Sequence, residues 1–154
     1  MLVRGPSTPP VPLRSPAVIG DVEIVNHRDR AIPAHTVVEL NRAVGWWPER
    51  TPEAVQTALT GSVAVGAWAS DQLIGFARAI TDGPLRAYVE DVMVHPDWRR
   101  RGVATATLER LMDLLAHVDV VSLFTAAALV PVYDRAGFEA THQVVMHRRP
   151  SSSR

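Results

Sequence analysis

At 154 residues, with 47% hydrophobic and 21% charged side chains, the chain is long enough for one domain with a substantial core and is neither fibrous nor broadly disordered. Its 16 arginines, with no lysine, balance 16 acidic residues and are spread along the chain apart from Arg99-Arg100-Arg101, which leaves no broad basic footprint for a nucleic acid. The absence of cysteine excludes disulfides, thiolate nucleophiles and any cysteine acyl-enzyme, and no apolar run approaches the roughly 20 residues of a membrane span.

Prolines at 6, 9, 10, 12 and 16 resist both helix and sheet, so residues 1–17 are predicted to form a flexible tail. Val22-Glu23-Ile24-Val25 reads as a first strand, followed by a loop from His27 to Pro33. Val37, Val38 and Leu40 fall at roughly helical spacing, which predicts a helix over Ala34–Val44 with Gly45 as its stop. After Trp46-Trp47, Thr51 is a good N-cap with Pro52 at the first helical position, and a second helix runs to Gly61. Ser62–Ala69 and Leu73–Ile80 predict a hairpin around Ser70-Asp71-Gln72. Ala87–His95 is a further strand ending at Pro96. Leu108, Leu111, Met112 and Leu115 form the stripe of an amphipathic helix from Gly102 to about His117. Val120–Thr125 reads as a strand, Pro131–Arg135 as a short helix closed by Gly137, and His142–Arg148 as a final strand. The predicted order is β-α-α-β-β-β-α-β-α-β, and residues 150–154, rich in serine, are predicted to be disordered.

The run from Val92 through His95-Pro96 and Arg99-Arg100-Arg101-Gly102-Val103-Ala104-Thr105 passes from a strand through a basic turn into a helix. Such a helix start has unpaired N–H groups and the positive end of the macrodipole, a combination that holds phosphate oxygens. Gly102 and Ala104 keep the approach open, and three guanidinium groups add positive charge. Taken alone, this turn could equally be a solvated charge run ahead of an ordinary helix.

Its context resembles the GNAT superfamily of acyl-CoA-dependent N-acyltransferases. The family signature Gln/Arg-x-x-Gly-x-Gly/Ala is matched by Arg99-Arg100-Arg101-Gly102-Val103-Ala104, and a downstream Tyr-x-x-x-Gly-Phe by Tyr133-Asp134-Arg135-Ala136-Gly137-Phe138. The resemblance covers roughly residues 20–149 and implies an α/β (α+β) fold, with a mixed, mostly antiparallel sheet flanked by helices. An N-acetyltransferase domain is expected over residues 18–149. It further implies acetyl-CoA as co-substrate. Its pantetheine arm would lie against the main chain of Val92, Met93 and Val94 at a splay between two strands, and its pyrophosphate on Arg99 to Thr105. Tyr133 matches the tyrosine that donates a proton to the departing thiolate. That role is chemically sensible, since a phenol near pKa 10 stays protonated at neutral pH and a thiol near 8.5 benefits from a donor. One departure is the absence of the family's asparagine after the strand at Val120, where Thr125-Ala126-Ala127-Ala128 stands instead.

An amine nucleophile is mostly protonated near neutral pH, so attack on a thioester requires a proton acceptor. Glu90 and Asp91 are the candidates, with an ordered water as the alternative. Strand alternation predicts that only one of the two acids faces the substrate. Glu90 is preferred because Tyr88-Val89-Glu90-Asp91-Val92 resembles the strand of glucosamine-phosphate acetyltransferases. A bulge in this strand would turn the Val92 N–H toward the developing oxyanion.

Trp46 and Trp47 lie in the region that in this family lines the acceptor site, and two adjacent indoles suggest an aromatic or amphipathic amine, unless they pack into the core beneath their loop. Trp68 and Trp98 read as structural, and Met93 and Met112 as core. The six histidines show no metal-ligand spacing, and none of these features predicts a metal. The expected protein is a cytoplasmic enzyme acting on a small-molecule amine. An N-terminal segment without the apolar core of a secretory signal favours that compartment, and a composition biased to Arg, Ala, Val and Pro fits a GC-rich bacterial genome. An acetyltransferase for protein N-termini or lysines and a non-catalytic acyl-CoA-binding regulator are the competing readings. Homodimers are common in the family, but no stretch of this sequence marks an interface.

Overall fold

The structure is a computed structural model that describes residues 17–149. The proline-rich tail up to residue 16 and the terminus from residue 150 lie outside the described residues. Within them, six strands stand in the order β1-β2-β3-β4-β5-β6: β1 (Ala17–Ile19), β2 (Val22–Asn26), β3 (Ser62–Ala69), β4 (Gln72–Thr81), β5 (Arg86–Val94) and β6 (Val120–Leu123). All neighbours are antiparallel except β5 and β6, which are parallel. The helices are α1 (Ala34–Val44), α2 (Pro52–Thr60), α3 (Val103–Leu114) and α4 (Val130–Asp134).

Local chemistry sets most of these boundaries. Gly45 ends α1 in the left-handed region at φ 77°, where it costs a glycine little. The Thr51 hydroxyl accepts from the Ala54 N–H, and Pro52 needs no partner for an N–H it lacks. Two cores form on opposite faces of the sheet. On one, Val37, Val38, Leu40, Val55 and Leu59 of α1 and α2 pack on Phe76 and Met93. On the other, Val103, Leu108 and Leu111 of α3 pack on Ile24, Val65, Ile74 and Val89.

The architecture is mixed and mostly antiparallel as predicted, but both ends of the element order differ. Ala17–Ile19, partly assigned to the tail, pairs with β2 around the two-residue turn Gly20-Asp21, with Gly20 at φ 58°. Three residues after a proline-rich run are too short to register as a strand, and the hairpin turn supplies the missing signal. The predicted final strand His142–Arg148 joins no ladder. Its side chains face solvent, with Val144 82% and Met146 89% exposed. Strand formation needs a second edge to accept its hydrogen bonds, and side-chain pattern alone does not provide one.

The seating of α3 on the sheet depends on Gly75. A Cβ there would stand 2.9 Å from the Ala67 Cβ and 3.0 Å from Val103 Cγ1. Gly75→Ala is therefore expected to destabilise the fold by about 1–3 kcal/mol through overpacking, measured as a lowered urea midpoint. Because Val103 opens α3, the substitution also pushes on the turn described next.

Candidate active site

The central feature is a break in the pairing of β5. Phe76 faces Met93 and Arg78 faces Glu90, so Asp91 and Val92 together stand opposite the single residue Ala77. Asp91 adopts φ 56°, the left-handed conformation of an inserted bulge residue. The bulge on which the Val92 N–H assignment depended is therefore present, and neither Asp91 nor Val92 has a partner in the β4 register.

The same bulge corrects the expectation that only one acid faces the substrate side. Arg78 Nε donates to Asp91 Oδ2 at 2.8 Å and Arg78 Nη2 to Glu90 Oε2 at 3.3 Å. Alternation is interrupted at φ 56°, so consecutive carboxylates converge on one guanidinium. Arg50 Nη1 donates to the second Asp91 oxygen at 2.9 Å. The Asp91 side chain, 4% exposed, is thus held by two guanidinium groups, while Glu90 is 29% exposed and engages one of its oxygens.

Toward its other neighbour, β5 opens. The parallel pairing with β6 runs only from Arg86↔Val120 to Val89↔Leu123, whereas β5 continues to Val94. From Glu90 onward its main chain has no β6 partner, the splay expected for a pantetheine arm. Val92 and Val94 are half-buried against the α3 core. Met93 points the other way into the α1/α2 core, so only its main chain is available.

Pro96–Trp98 then forms a single 3-10 turn. Arg100 (φ 59°) and Gly102 (φ 79°) both turn left-handed before α3. A Cβ on Gly102 would meet nothing within 4 Å, so the glycine is needed for its dihedral angle. No side chain caps α3, and its first turn carries no acidic residue. The N–H groups of Val103, Ala104 and Thr105 thus have no side-chain cap, the condition under which a helix start can accept an anion. Arg99 Nε donates weakly to the Val94 carbonyl at 3.4 Å, and the Arg101 guanidinium lies 5.0 Å from the Trp98 ring centroid. An open strand edge leading into an uncapped, positively flanked helix start fits a thioester whose other end is a diphosphate.

Tyr133 lies on α4 and packs, with Phe138, on the same core that supports Val92 and Val94. Its ring meets Phe138 edge-on at 6.1 Å, and Gly137 (φ 85°) turns the chain between them. Burial pushes the Tyr133 phenol above its ordinary value of 10.0, because the phenolate loses solvation. Thr125-Ala126-Ala127-Ala128, where the family's asparagine is absent, is exposed and leads into a 3-10 turn at Ala127–Leu129.

Trp46 and Trp47 are 45% and 49% exposed, so core packing is not their role. Trp47 adopts φ 47°, and the Arg50 guanidinium stacks 4.7 Å from its ring centroid. Arg50 therefore joins the indole loop to the bulge. Neither Arg50 nor Arg78 stood out in the sequence. A signal existed for Arg78, a lone charge within the apolar run Leu73–Ile80, where a buried ion needs a paired partner. Arg50 lies in a polar loop that carries no comparable signal.

Known proteins resemble this chain in sequence and in fold. Residues 31–138, more than half of the chain, match the model of the acetyltransferase (GNAT) family. The chain is 29% identical over 117 residues to the N-acetyltransferase ycf52 of Pyropia yezoensis, covering 71% of this chain and 67% of that one. It is also 29% identical over 125 residues to ycf52 of Porphyra purpurea, covering 77% and 70%. A solved GNAT-family acetyltransferase from Streptococcus pneumoniae TIGR4 superposes with a TM-score of 0.68 at 26% identity, over 83% of this chain and 99% of that one. The chain belongs to the GNAT family and is an acetyltransferase.

Proposed function

We propose that the enzyme moves an acetyl group from acetyl-CoA to the primary amine of a small molecule, by direct transfer within a ternary complex. The observation that carries this reading is the unpaired β5 main chain beyond Val89, leading into the uncapped start of α3. Bound there, the co-substrate supplies an activated acyl thioester. Val92 and Val94 would align the pantetheine arm, and Arg99 to Thr105 would hold the diphosphate. The Val92 N–H, released from the β4 register by the bulge, would donate to the carbonyl oxygen. Glu90 is the acid that stays accessible, and it takes the amine proton directly or through one water. Asp91, with both oxygens on guanidinium groups, shapes the bulge instead. Tyr133 protonates the leaving sulfur. The chain has no cysteine for a thioester acyl-enzyme, consistent with direct transfer.

Calorimetry with CoA and acetyl-CoA tests the cofactor half, and free-thiol release with a panel of amines tests the transfer. Absence of binding at millimolar CoA overturns the reading. Gly102→Val should raise the acetyl-CoA Kd by about tenfold, because a β-branched residue at φ 79° is strained and misplaces the first N–H groups of α3. Unchanged affinity in a folded variant would remove this turn from the binding site.

A further inference from the structure

A cavity of about 150 Å³ lies between α1, α2 and β4 and ends on the bulge, lined by Val37, Val55, Leu59 and Phe76, with Arg50, Arg78 and Asp91 at one side. All four apolar residues are buried. Ala54 and Ala58 of α2 also line the cavity. We infer that this cavity receives one compact, uncharged apolar group of the acceptor, of about the size of a benzene ring, and that the enzyme selects monoamines of this kind over polyamines and aminoglycosides. The inference rests on the acetyltransferase reading above and adds the class of acceptor.

Size, lining and charge each contribute. A space of about 150 Å³ matches the volume of a benzene-sized guest, and six of its nine lining residues are apolar. A polar or oligocationic acceptor would have to leave its hydration shell to enter, with nothing in the apolar wall to replace it. The two arginines at its side are matched by Asp91 and Glu90, so the cluster has no negative excess to attract a second ammonium. Nor is a carboxylate free to receive one, since Asp91 has a guanidinium on each oxygen. Glu90 also pairs with Arg78. With the apolar group seated between α2 and Phe76, the amine is left at the side where Asp91 and Glu90 mark the bulge.

The test compares phenethylamine, ethylamine and spermidine with saturating acetyl-CoA. Phenethylamine should exceed each of the others in kcat/KM by at least about tenfold, the discrimination that burying a few methylene equivalents provides. Ala58→Leu should reduce the phenethylamine-to-ethylamine ratio by about tenfold by filling the cavity. Ala54→Leu, at the exposed rim, should move it in the same direction if the first variant does not fold. Calorimetry with acetyl-CoA on every variant separates loss of the cofactor site from loss of acceptor choice. Preference for spermidine, parity of the three amines, no turnover with any of them despite acetyl-CoA binding, or an unchanged ratio in a folded variant would each overturn the assignment.

Discussion

Tyr133→Phe is expected to lower kcat by about a hundredfold while leaving the Kd for CoA within about twofold. Placement of a general acid contributes on the order of 10²–10⁴ to rate, and a thiolate is a fair leaving group, so the lower end applies. Phenylalanine keeps the ring that meets Phe138 edge-on, so α4 should keep its packing and the cofactor groups on β5 and α3 are not touched. Burial raises the phenol above 10.0. The donor form is therefore fully present at neutral pH, and proton loss from Tyr133 should cut activity only above about pH 10. The sign for stability is the same: a folded-state value above the unfolded one means that stability is retained below pH 10 and lost as pH rises through the folded value. Steady-state rates as a function of pH, paired with calorimetry, check both parts. An unchanged kcat would assign Tyr133 to packing alone.

Arg78→Met should destabilise the fold by about 3 kcal/mol, the low end of the 3–5 kcal/mol range for breaking a buried ion pair. Arg78 donates to Asp91, Glu90 and Ser62, and its side chain is 10% exposed. Methionine fills the volume but leaves the Asp91 carboxylate with Arg50 as its one remaining guanidinium, which is why the low end is expected. Removing the stranded charge as well, in Arg78→Met/Asp91→Asn, should recover part of the loss. Arg78→Lys should not, because one ammonium cannot reproduce the planar fork that reaches three partners. Urea titrations at constant m-value report the difference. Equal stability of Arg78→Met and wild type would mean that the pairing contributes nothing beyond the packing of its stem.

Much of the candidate site was legible before the fold was known. The basic turn and Gly102 marked the uncapped helix start of the proposed anion site because both cause and effect are local: a glycine at φ 79° and three arginines within six residues. Tyr133 and Phe138 were found through spacing that a short helix and a glycine turn preserve. Trp46 and Trp47 were legible as a pair of indoles between α1 and α2, yet their exposure and the stacking of Arg50 on Trp47 involve groups whose meeting no periodicity encodes. The link from Arg50 to Asp91 spans 41 positions, and its partners come from a loop and a strand that only the sheet brings together.

By itself, the order of residues determined where helices start and stop, the family, and the strand-turn-helix with its basic, uncapped helix start. The helix limits and the turn follow from φ preferences, caps and apolar spacing within a few residues, and the family from the resemblance carried by Arg99–Ala104 and Tyr133–Phe138. The tertiary structure alone decided that β5 bulges at Asp91, that two carboxylates share Arg78, that a small apolar cavity ends beside them, and that 142–148 stays out of the sheet. Register and edge pairing depend on which backbone lies alongside, and that partner is supplied by distant parts of the chain.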